Sequence, residues 1–203
     1  MENQYCAVDV MGADRCLWRY VVKETGYNVL VEPPALEVDE RPVGGSLARV
    51  APQGKPAVLP DGVTETVYAG HVVGAEDIIQ ELVFRIAKNS PLVSFQYRLR
   101  VKGEHTIVCQ EYVRLDLKEF EPVGVAEGDC VPGPRLVAAD DSHALLLAYK
   151  GEHMRYCLKE GKIALCTEED ESASLSGEFS LTTPWFVLGA IAGDEKEILA
   201  FVR

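Results

Sequence analysis

Apolar and polar residues alternate strictly from residue 93 to residue 101, and this alternation constrains the fold more than any other feature. Val93, Phe95, Tyr97, Leu99 and Val101 are separated by Ser94, Gln96, Arg98 and Arg100. A period of two residues is typical of a β-strand with one buried and one solvated face. Residues 81–87 alternate in the same way, and the turn-forming residues 88–91 connect the two segments. We therefore predict a β-hairpin, which residues 106–115 extend to a three-stranded antiparallel meander.

The same pattern continues along the rest of the chain. Further strands are predicted at residues 16–22, 27–31, 144–149, 154–158, 178–181, 185–192 and 198–202. Turn-forming residues recur every ~8–12 positions, as in β-sandwiches and barrels. No segment carries a helical stripe over three turns, and residues 76–85 are predicted as a loop that enters a strand. The predicted fold class is therefore all-β, with stacked antiparallel sheets.

Two stretches rich in proline and glycine, residues 51–62 and 121–134, could separate two sub-lobes. We prefer a single β-sandwich domain over residues 1–203, because comparable strand patterns lie on both sides of each stretch. The chain stops directly after the apolar strand predicted at 198–202, without the loose polar tail that is common at termini. We expect the natural protein to continue past Arg203; the alternative is a natural C-terminal strand tied into a sheet.

The formal net charge of −12 limits the partners that the chain can bind. Nucleic acids and anionic lipid surfaces attract basic patches, and the sequence has no cluster of Lys and Arg. No apolar run is long enough to cross a membrane. The acidic run at residues 168–171 is predicted as a solvated loop, since it lacks the turn glycine of a calcium-binding loop. We expect neither nucleic acid nor membrane as a partner.

The six cysteines form no C-x-x-C pair, so a zinc ribbon or a thioredoxin-type motif is not supported. Cys6, Cys16, Cys109 and Cys157 have apolar or strand-like neighbours, where a free thiol behaves as a small buried hydrophobe. The N-terminus has no basic region followed by an apolar run, as a signal peptide would. These features predict a cytoplasmic protein with reduced cysteines.

The sequence contains no complete catalytic or cofactor-binding motif. Gly44-Gly45-Ser46 does not complete a G-x-S-x-G elbow, and no helix is available for a phosphate loop. The four histidines are scattered and lack metal-site spacing, although spacing alone leaves open a metal site built from distant strands. Asp9, Asp39 and Asp116 lie in or beside apolar strands, where solvation at strand ends accounts for them. We predict no catalytic residue, no metal and no cofactor.

The two tryptophans are the aromatic candidates for sugar binding, because a flat ring stacks against the apolar face of a pyranose. Trp18 lies inside a predicted strand between Leu17 and Tyr20, which favours core packing. Trp185 follows Thr182-Thr183-Pro184, and the proline favours an extended edge or turn near a rim. For Trp185 the sequence leaves both the core and the rim open.

Short motifs in the last third of the chain carry a family resemblance. They are LLLAYKGEH at 145–153, GEF at 177–179, TPWFVLG at 183–189 and an acidic turn at 193–195. Together with residues 82–97 they resemble the N-terminal domains of α-galactosidase-type glycoside hydrolases, of the family 36 kind. In that family the pattern A-Y-E-H-G precedes a P-W strand. This chain departs from it, because Lys150-Gly151-Glu152-His153 replaces the E-H-G order.

The resemblance implies a β-supersandwich of the galactose mutarotase kind, followed in the family by a (β/α)₈ catalytic barrel. The family's catalytic aspartates lie in that barrel, so none is carried over to this chain. The implied function is an accessory domain of a hydrolase of α-linked sugars, which packs on the C-terminal catalytic domain and shapes the active-site rim. Carbohydrate would be the substrate, with Trp185 and His153 as sugar-binding residues.

Two other functions stay open at this point. The first is a free-standing carbohydrate-binding or mutarotase-like protein, for which His71, His105 and His143 are the candidate donors in a shared sugar pocket. The second is a purely structural or protein-interaction sandwich.

Overall fold

Strands make up almost all of the regular structure in this chain. The structure is a computed structural model that describes residues 1–13, 16–118, 120–133, 135–150, 154–175 and 178–201. The elements are β1 (Cys6–Ala13), β2 (Cys16–Val22), β3 (Asn28–Glu32), β4 (Ala35–Val38), β5 (Arg41–Pro42), β6 (Leu47–Pro52), β7 (Ala57–Val58), β8 (Thr64–Val72), β9 (Ala75–Ile86), β10 (Val93–Lys102), β11 (His105–Asp116), β12 (Glu121–Pro122), β13 (Cys130–Pro132), β14 (Arg135–Ala139), β15 (His143–Tyr149), β16 (Met154–Lys159), β17 (Lys162–Leu175), β18 (Glu178–Thr182), β19 (Phe186–Ala192) and the short helix α1 (Glu195–Ala200).

The strands form two antiparallel sheets. The nine-stranded sheet has the order β1-β2-β3-β11-β17-β16-β13, with β4 also on β11 and β5 on β4. The ten-stranded sheet has the order β12-β14-β15-β19-β10-β9-β8-β6, with β18 also on β10 and β7 on β8. The prediction of an all-β antiparallel sandwich is confirmed. Among the described residues, no helix is long and apolar enough to cross a membrane.

The core lies between the inner faces of the two sheets. Trp18 of β2 is fully buried, and its indole packs edge-on against Phe84 and Phe95 of the opposite sheet, with ring centroids 5.0 and 4.8 Å apart. The hydroxyl of Tyr20 donates a 2.7 Å hydrogen bond to the carbonyl of Pro91, which also joins the two sheets. The prediction that Trp18 packs in the core is confirmed.

The predicted hairpin is confirmed, but the predicted meander is wrong. β9 and β10 pair continuously from Val93↔Ile86 to Val101↔Ile78, and β9 covers the residues that were expected to form a loop. β11 instead crosses to the nine-stranded sheet and pairs with β17, β3 and β4. β15 and β16 also lie in different sheets. Alternation shows which face of a strand is buried, but it does not show which strand lies beside it.

The strand predicted at residues 198–202 is also wrong. The chain forms α1 there, capped by Asp194, which accepts from the backbone of Lys196 and Glu197. The Glu197 side chain bonds back to the Asp194 backbone and completes a capping box. Ile198 is fully buried and belongs to a second apolar cluster with Leu146 of β15, on the outer face of the ten-stranded sheet. A short apolar run does not separate helix from strand, whereas the D-x-x-E cap does.

The structure corrects two further predictions, one about the acidic run and one about the cysteines. The acidic run at 168–171 is not in a loop, because it lies within β17, where Glu171 pairs with Cys109 of β11. The expectation that all cysteines are reduced is wrong for one pair, since Cys130 and Cys157 form a disulfide. These cysteines face each other on the adjacent strands β13 and β16, 27 residues apart in sequence. A pairing between strands so distant along the chain leaves no spacing motif for sequence reasoning to find.

Candidate functional site

A polar cluster lies on the outer face of the ten-stranded sheet, near the start of β8 and β10 and the end of β9. Because Phe84 points into the core, its neighbour Arg85 points outward. The register places Arg85 directly opposite Glu65 on one side and Ser94 on the other. Gln96 lies two residues further along β10, on the same face. The strands therefore bring an arginine, a carboxylate and an amide together on one surface.

Trp185 reaches this surface because residues 183–185 interrupt the strand pairing between β18 and β19, both of which pair with β10. Thr183 is tied to the edge of β10, since its N–H donates to the Tyr97 carbonyl and its hydroxyl oxygen accepts from the Tyr97 N–H. The Gln96 amide nitrogen donates to the Thr183 carbonyl at 2.7 Å, which holds the segment over the outer face. Pro184 fixes the backbone just before Trp185, which is half-buried.

The Trp185 ring stacks with Arg85, whose guanidinium carbon is 4.2 Å from the ring centroid. The Arg85 Nε donates to the Glu65 carboxylate at 2.8 Å, so the guanidinium lies between a ring and an anion. We call Glu65, Arg85, Gln96 and Trp185 the outer-face cluster. It combines an aromatic surface with hydrogen-bond donors and acceptors, the combination that binds an amphipathic ring such as a pyranose.

The face stays polar beyond the outer-face cluster. Arg98 Nε donates to the Gln96 amide oxygen at 3.3 Å, and Arg100 pairs with Glu81. The Glu81 side chain is only 8% exposed, and this arginine is its ion-pair partner. Three arginines therefore line adjacent strands of a chain whose net charge is strongly negative.

The structure places Trp185 at the surface, which corresponds to the rim alternative rather than the core. The other predicted sugar-binding residue, His153, lies outside the described residues. Sequence reasoning missed Arg85 and Gln96, although the alternation of β9 and β10 already assigns both to the solvated face. What it could not reveal is that the segment before β19 folds back over them.

The structure does not bring the other predicted candidates together. The three histidines considered for a shared sugar pocket lie on β8, β11 and β15, and each has its own partner. His71 bonds the Glu76 carbonyl at 3.0 Å, His105 the Asp39 carboxylate at 2.8 Å and His143 the Asp140 carboxylate at 3.2 Å. A mutarotase-like pocket built on these side chains is therefore not supported.

The carboxylates noted in the sequence act locally. Asp9 pairs with Arg19 at 2.6 Å, and Asp116 accepts from the Lys118 N–H at 3.2 Å. Within the described ranges, no three His, Cys, Asp or Glu side chains are arranged to hold a metal ion.

The sequence matches no known protein-family model and no curated protein, but the fold matches solved glycoside hydrolases. A glycosyl hydrolase family 38 protein from Enterococcus faecalis superposes with a TM-score of 0.60 and 11% identity, over 99% of this chain and 31% of its own. A variant of the family 36 α-galactosidase AgaA from Geobacillus stearothermophilus, in complex with stachyose, gives 0.60 and 8% identity, over 95% and 40%. The family 36 α-galactosidase AgaB from the same organism gives 0.52 and 7%, over 95% and 30%.

The chain thus spans 30% to 40% of the length of these hydrolases, while they cover nearly all of it. At such low identity the likeness concerns the fold alone. The resemblance seen in the short motifs is confirmed at that level: this chain has the β-sandwich fold of one part of these glycoside hydrolases.

Proposed function

We propose that this chain is the N-terminal accessory domain of a glycoside hydrolase that acts on α-linked sugars. The observation that carries the proposal is the coverage: the fold accounts for nearly all of this chain and for about a third of each matched hydrolase. A C-terminal catalytic domain of the same protein is then its partner and supplies the nucleophile and the general acid. The 1–203 sandwich packs on that domain and shapes the rim of its active site.

The outer-face cluster is the proposed contact with the sugar. Trp185 supplies a half-exposed ring, and the neighbouring Arg85 guanidinium, whose Nε is bound to Glu65, supplies further N–H donors, while the buried Gln96 holds the Trp185 segment in place. His153, four residues after Tyr149 at the end of β15, is the second proposed contact. In this arrangement the domain contributes to substrate binding and leaves the chemistry to the barrel.

The first experiment reads the coding sequence past Arg203 and assays the full-length protein on p-nitrophenyl α-galactoside and raffinose. An encoded barrel with α-galactosidase activity is the expected result, and a stop codon directly after Arg203 contradicts the proposal. In the active protein, Trp185→Ala should raise KM for raffinose more than for the short nitrophenyl substrate. Exposed Gln53, which follows β6 and takes no part in the outer-face cluster, provides the control variant Gln53→Ala, which should leave both constants unchanged.

A free-standing carbohydrate-binding role is the second candidate, and the completeness of the outer-face cluster within this chain favours it. Of the two tryptophans, Trp18 is fully buried, so a change of intrinsic fluorescence on adding sugar reports on Trp185. Saturable quenching of the 203-residue chain by raffinose, lost in Trp185→Phe, would support binding without a barrel. Quenching only in the full-length protein would show that sugar binding needs both this domain and the catalytic domain.

A cytoplasmic location also belongs to this proposal. The cytosol keeps most protein thiols reduced. The redox state of Cys130 and Cys157, measured in intact cells, therefore tests the cytoplasmic location.

A further inference from the structure

A cavity of about 280 Å³ lies inside the sandwich, on the inner side of β9 and β10, opposite to the side that carries the outer-face cluster. It is bounded by β4 and β11 of one sheet and by β9, β10 and β18 of the other. Pro34 and Leu36, before and in β4, and Leu181 of β18 are part of its lining. Most of its wall is apolar, as in pockets for small molecules, and its volume is at the low end for such pockets.

Gln80 contributes an amide side chain to this largely apolar wall. It sits on the inward face of β9 between Ile78 and Leu82, directly opposite Leu99 of β10. Its side chain lines the cavity and is 0% exposed, yet neither the amide oxygen nor the amide nitrogen has a hydrogen-bond partner among the described residues. A buried amide without partners is costly, and most native proteins avoid it. Gln80 therefore presents two donors and an acceptor to the cavity.

Two tyrosines and two threonines supply the other hydroxyl groups of the wall, and the hydroxyl of Thr183 is already bonded to the Tyr97 N–H and the Pro184 carbonyl. The Tyr97 hydroxyl accepts a long 3.5 Å hydrogen bond from the Trp18 indole, which leaves its own proton available to donate. Burial raises the pKa of Tyr97 above its ordinary value, so this hydroxyl stays neutral. Tyr112 joins the wall where the pairing of β11 shifts register between Cys109 and Val113. Bulges of this kind are common beside binding sites, because they redirect a side chain.

We propose that this cavity binds a neutral, largely apolar small molecule that carries one group with an adjacent donor and acceptor, such as a primary amide. The Gln80 amide matches that group with a pair of reciprocal hydrogen bonds, and the Tyr97 hydroxyl adds one donor. The apolar walls from Leu36, Leu99 and Ile107 cover the rest of the ligand.

The same wall excludes other ligand classes. No Lys or Arg lines the cavity among the described residues, so a buried carboxylate or phosphate would lack a counter-charge. The cavity site is therefore distinct in chemistry from the proposed sugar contact on the outer face.

The test uses benzamide as the probe and two-dimensional NMR of the ¹⁵N-labelled 203-residue chain. We expect saturable shifts of the Gln80 side-chain amide signals and of the backbone signals of Leu99 and Ile107. Toluene, which lacks the amide, and benzoate, which carries a charge, should bind at least tenfold more weakly. These comparisons on the wild-type protein keep the proposal testable even where a variant does not fold.

Two variants and a matched control sharpen the test. Gln80→Leu keeps the size of the side chain and removes the unpaired amide, so the variant should fold and bind benzamide about tenfold more weakly or worse. Leu181→Trp fills part of the cavity and should abolish binding. Gln53→Leu makes the same chemical change on an exposed residue and should bind as the wild type does.

The proposal is overturned by any of three results. The first is the absence of saturable shifts at the cavity residues. The second is equal affinity of the wild type and Gln80→Leu for benzamide. The third is equal affinity for toluene and benzamide, which would reduce the site to an apolar void.

Discussion

Arg85 lies between two partners: its guanidinium carbon is 4.2 Å from the Trp185 ring centroid, and its Nε is 2.8 Å from the Glu65 carboxylate. Cation–π contacts at exposed sites contribute about 0.5–1 kcal/mol. A double-mutant cycle of Arg85→Ala and Trp185→Ala, measured by urea unfolding, should show a coupling free energy in that range. Strict additivity would mean that the two side chains do not interact. Glu65→Gln is the control for the ion pair, and since such pairs contribute about 0–1 kcal/mol, it should cost little.

The Cys130–Cys157 disulfide closes a loop over a sequence separation of 27 residues. In the chain-entropy account, a closed loop of this length stabilises the native state by about 3–4 kcal/mol. The double variant Cys130→Ala/Cys157→Ala should lower the free energy of unfolding by about that amount. Titration of the urea-unfolded wild type should release two further thiols on reduction. An unchanged thiol count would show that the bond is absent, and alkylation inside intact cells would show whether it exists in vivo.

The sequence predicts the sandwich well where information is local and poorly where it is not. Alternation predicts β9 and β10 because mostly apolar residues on the inner face alternate with mostly polar residues on the outer face in both strands. A short turn joins the two strands, so they pair with each other from Val93↔Ile86 to Val101↔Ile78. The pattern does not predict the neighbours of β11, because the apolar face of this strand can be buried in either of the two sheets. Trp185 could be placed near a turn, but its stacking on Arg85 depends on the path of residues 183–185 between β18 and β19, which no periodicity encodes.

The Asp39–His105 pair gives stability a defined pH dependence. The backbone N–H of Thr106 and then His105 lower the pKa of Asp39 from its ordinary value of 3.8. The hydrogen bond to Asp39 raises the pKa of His105 above 6.5. The histidine's contribution is complete below about pH 6.5 and is lost as the pH rises through its native pKa. The aspartate's contribution is present above about pH 3.8 and is lost as the pH falls through its native pKa.

The pair should therefore stabilise the protein most between those two limits, in mildly acidic solution. Urea unfolding from pH 4 to pH 9 should show the free energy of unfolding of the wild type falling relative to that of His105→Gln above pH 6.5. Parallel curves for the two proteins over the whole range would contradict the assignment. His71, which bonds only a backbone carbonyl in the described structure, supplies the control His71→Gln.

The two-residue turn between β4 and β5 carries avoidable strain. Asp39 and Glu40 both have positive φ, 51° and 63°, in the loop that connects the pair Val38↔Arg41. Such turns favour glycine at the second position. Relief of left-handed strain, about 1–2 kcal/mol, exceeds the entropic cost of a glycine, about 0.5–1 kcal/mol. Glu40→Gly should therefore raise the free energy of unfolding by about 0.5–1 kcal/mol.

Asp39→Gly tests the same turn from the other side. It relieves the same kind of strain but removes the bonds of the Asp39 carboxylate to Thr106 and His105, so it should destabilise the protein. In thermal unfolding, the melting temperature of Glu40→Gly should lie above that of the wild type and that of Asp39→Gly below it. A rise in the melting temperature of both variants would show that relief of backbone strain affects stability more than the hydrogen bonds of the Asp39 carboxylate.

Helix α1 packs on the outer face of β15 mainly through Ile198, which is fully buried beside Ala144 and Leu146, and Leu199 is partly buried against the same cluster. Ile198→Ala should cost about 2–4 kcal/mol, while Ile198→Val, which removes one methylene, should cost about 0.5–1.5 kcal/mol. Asp194→Ala removes the side chain that caps the helix and should cost about 1 kcal/mol. Because the cap acts by forming the helix that buries Ile198, the double variant Asp194→Ala/Ile198→Ala should lose less than the sum of the two. Additive losses in urea unfolding would show that Ile198 stays docked on β15 without the helix.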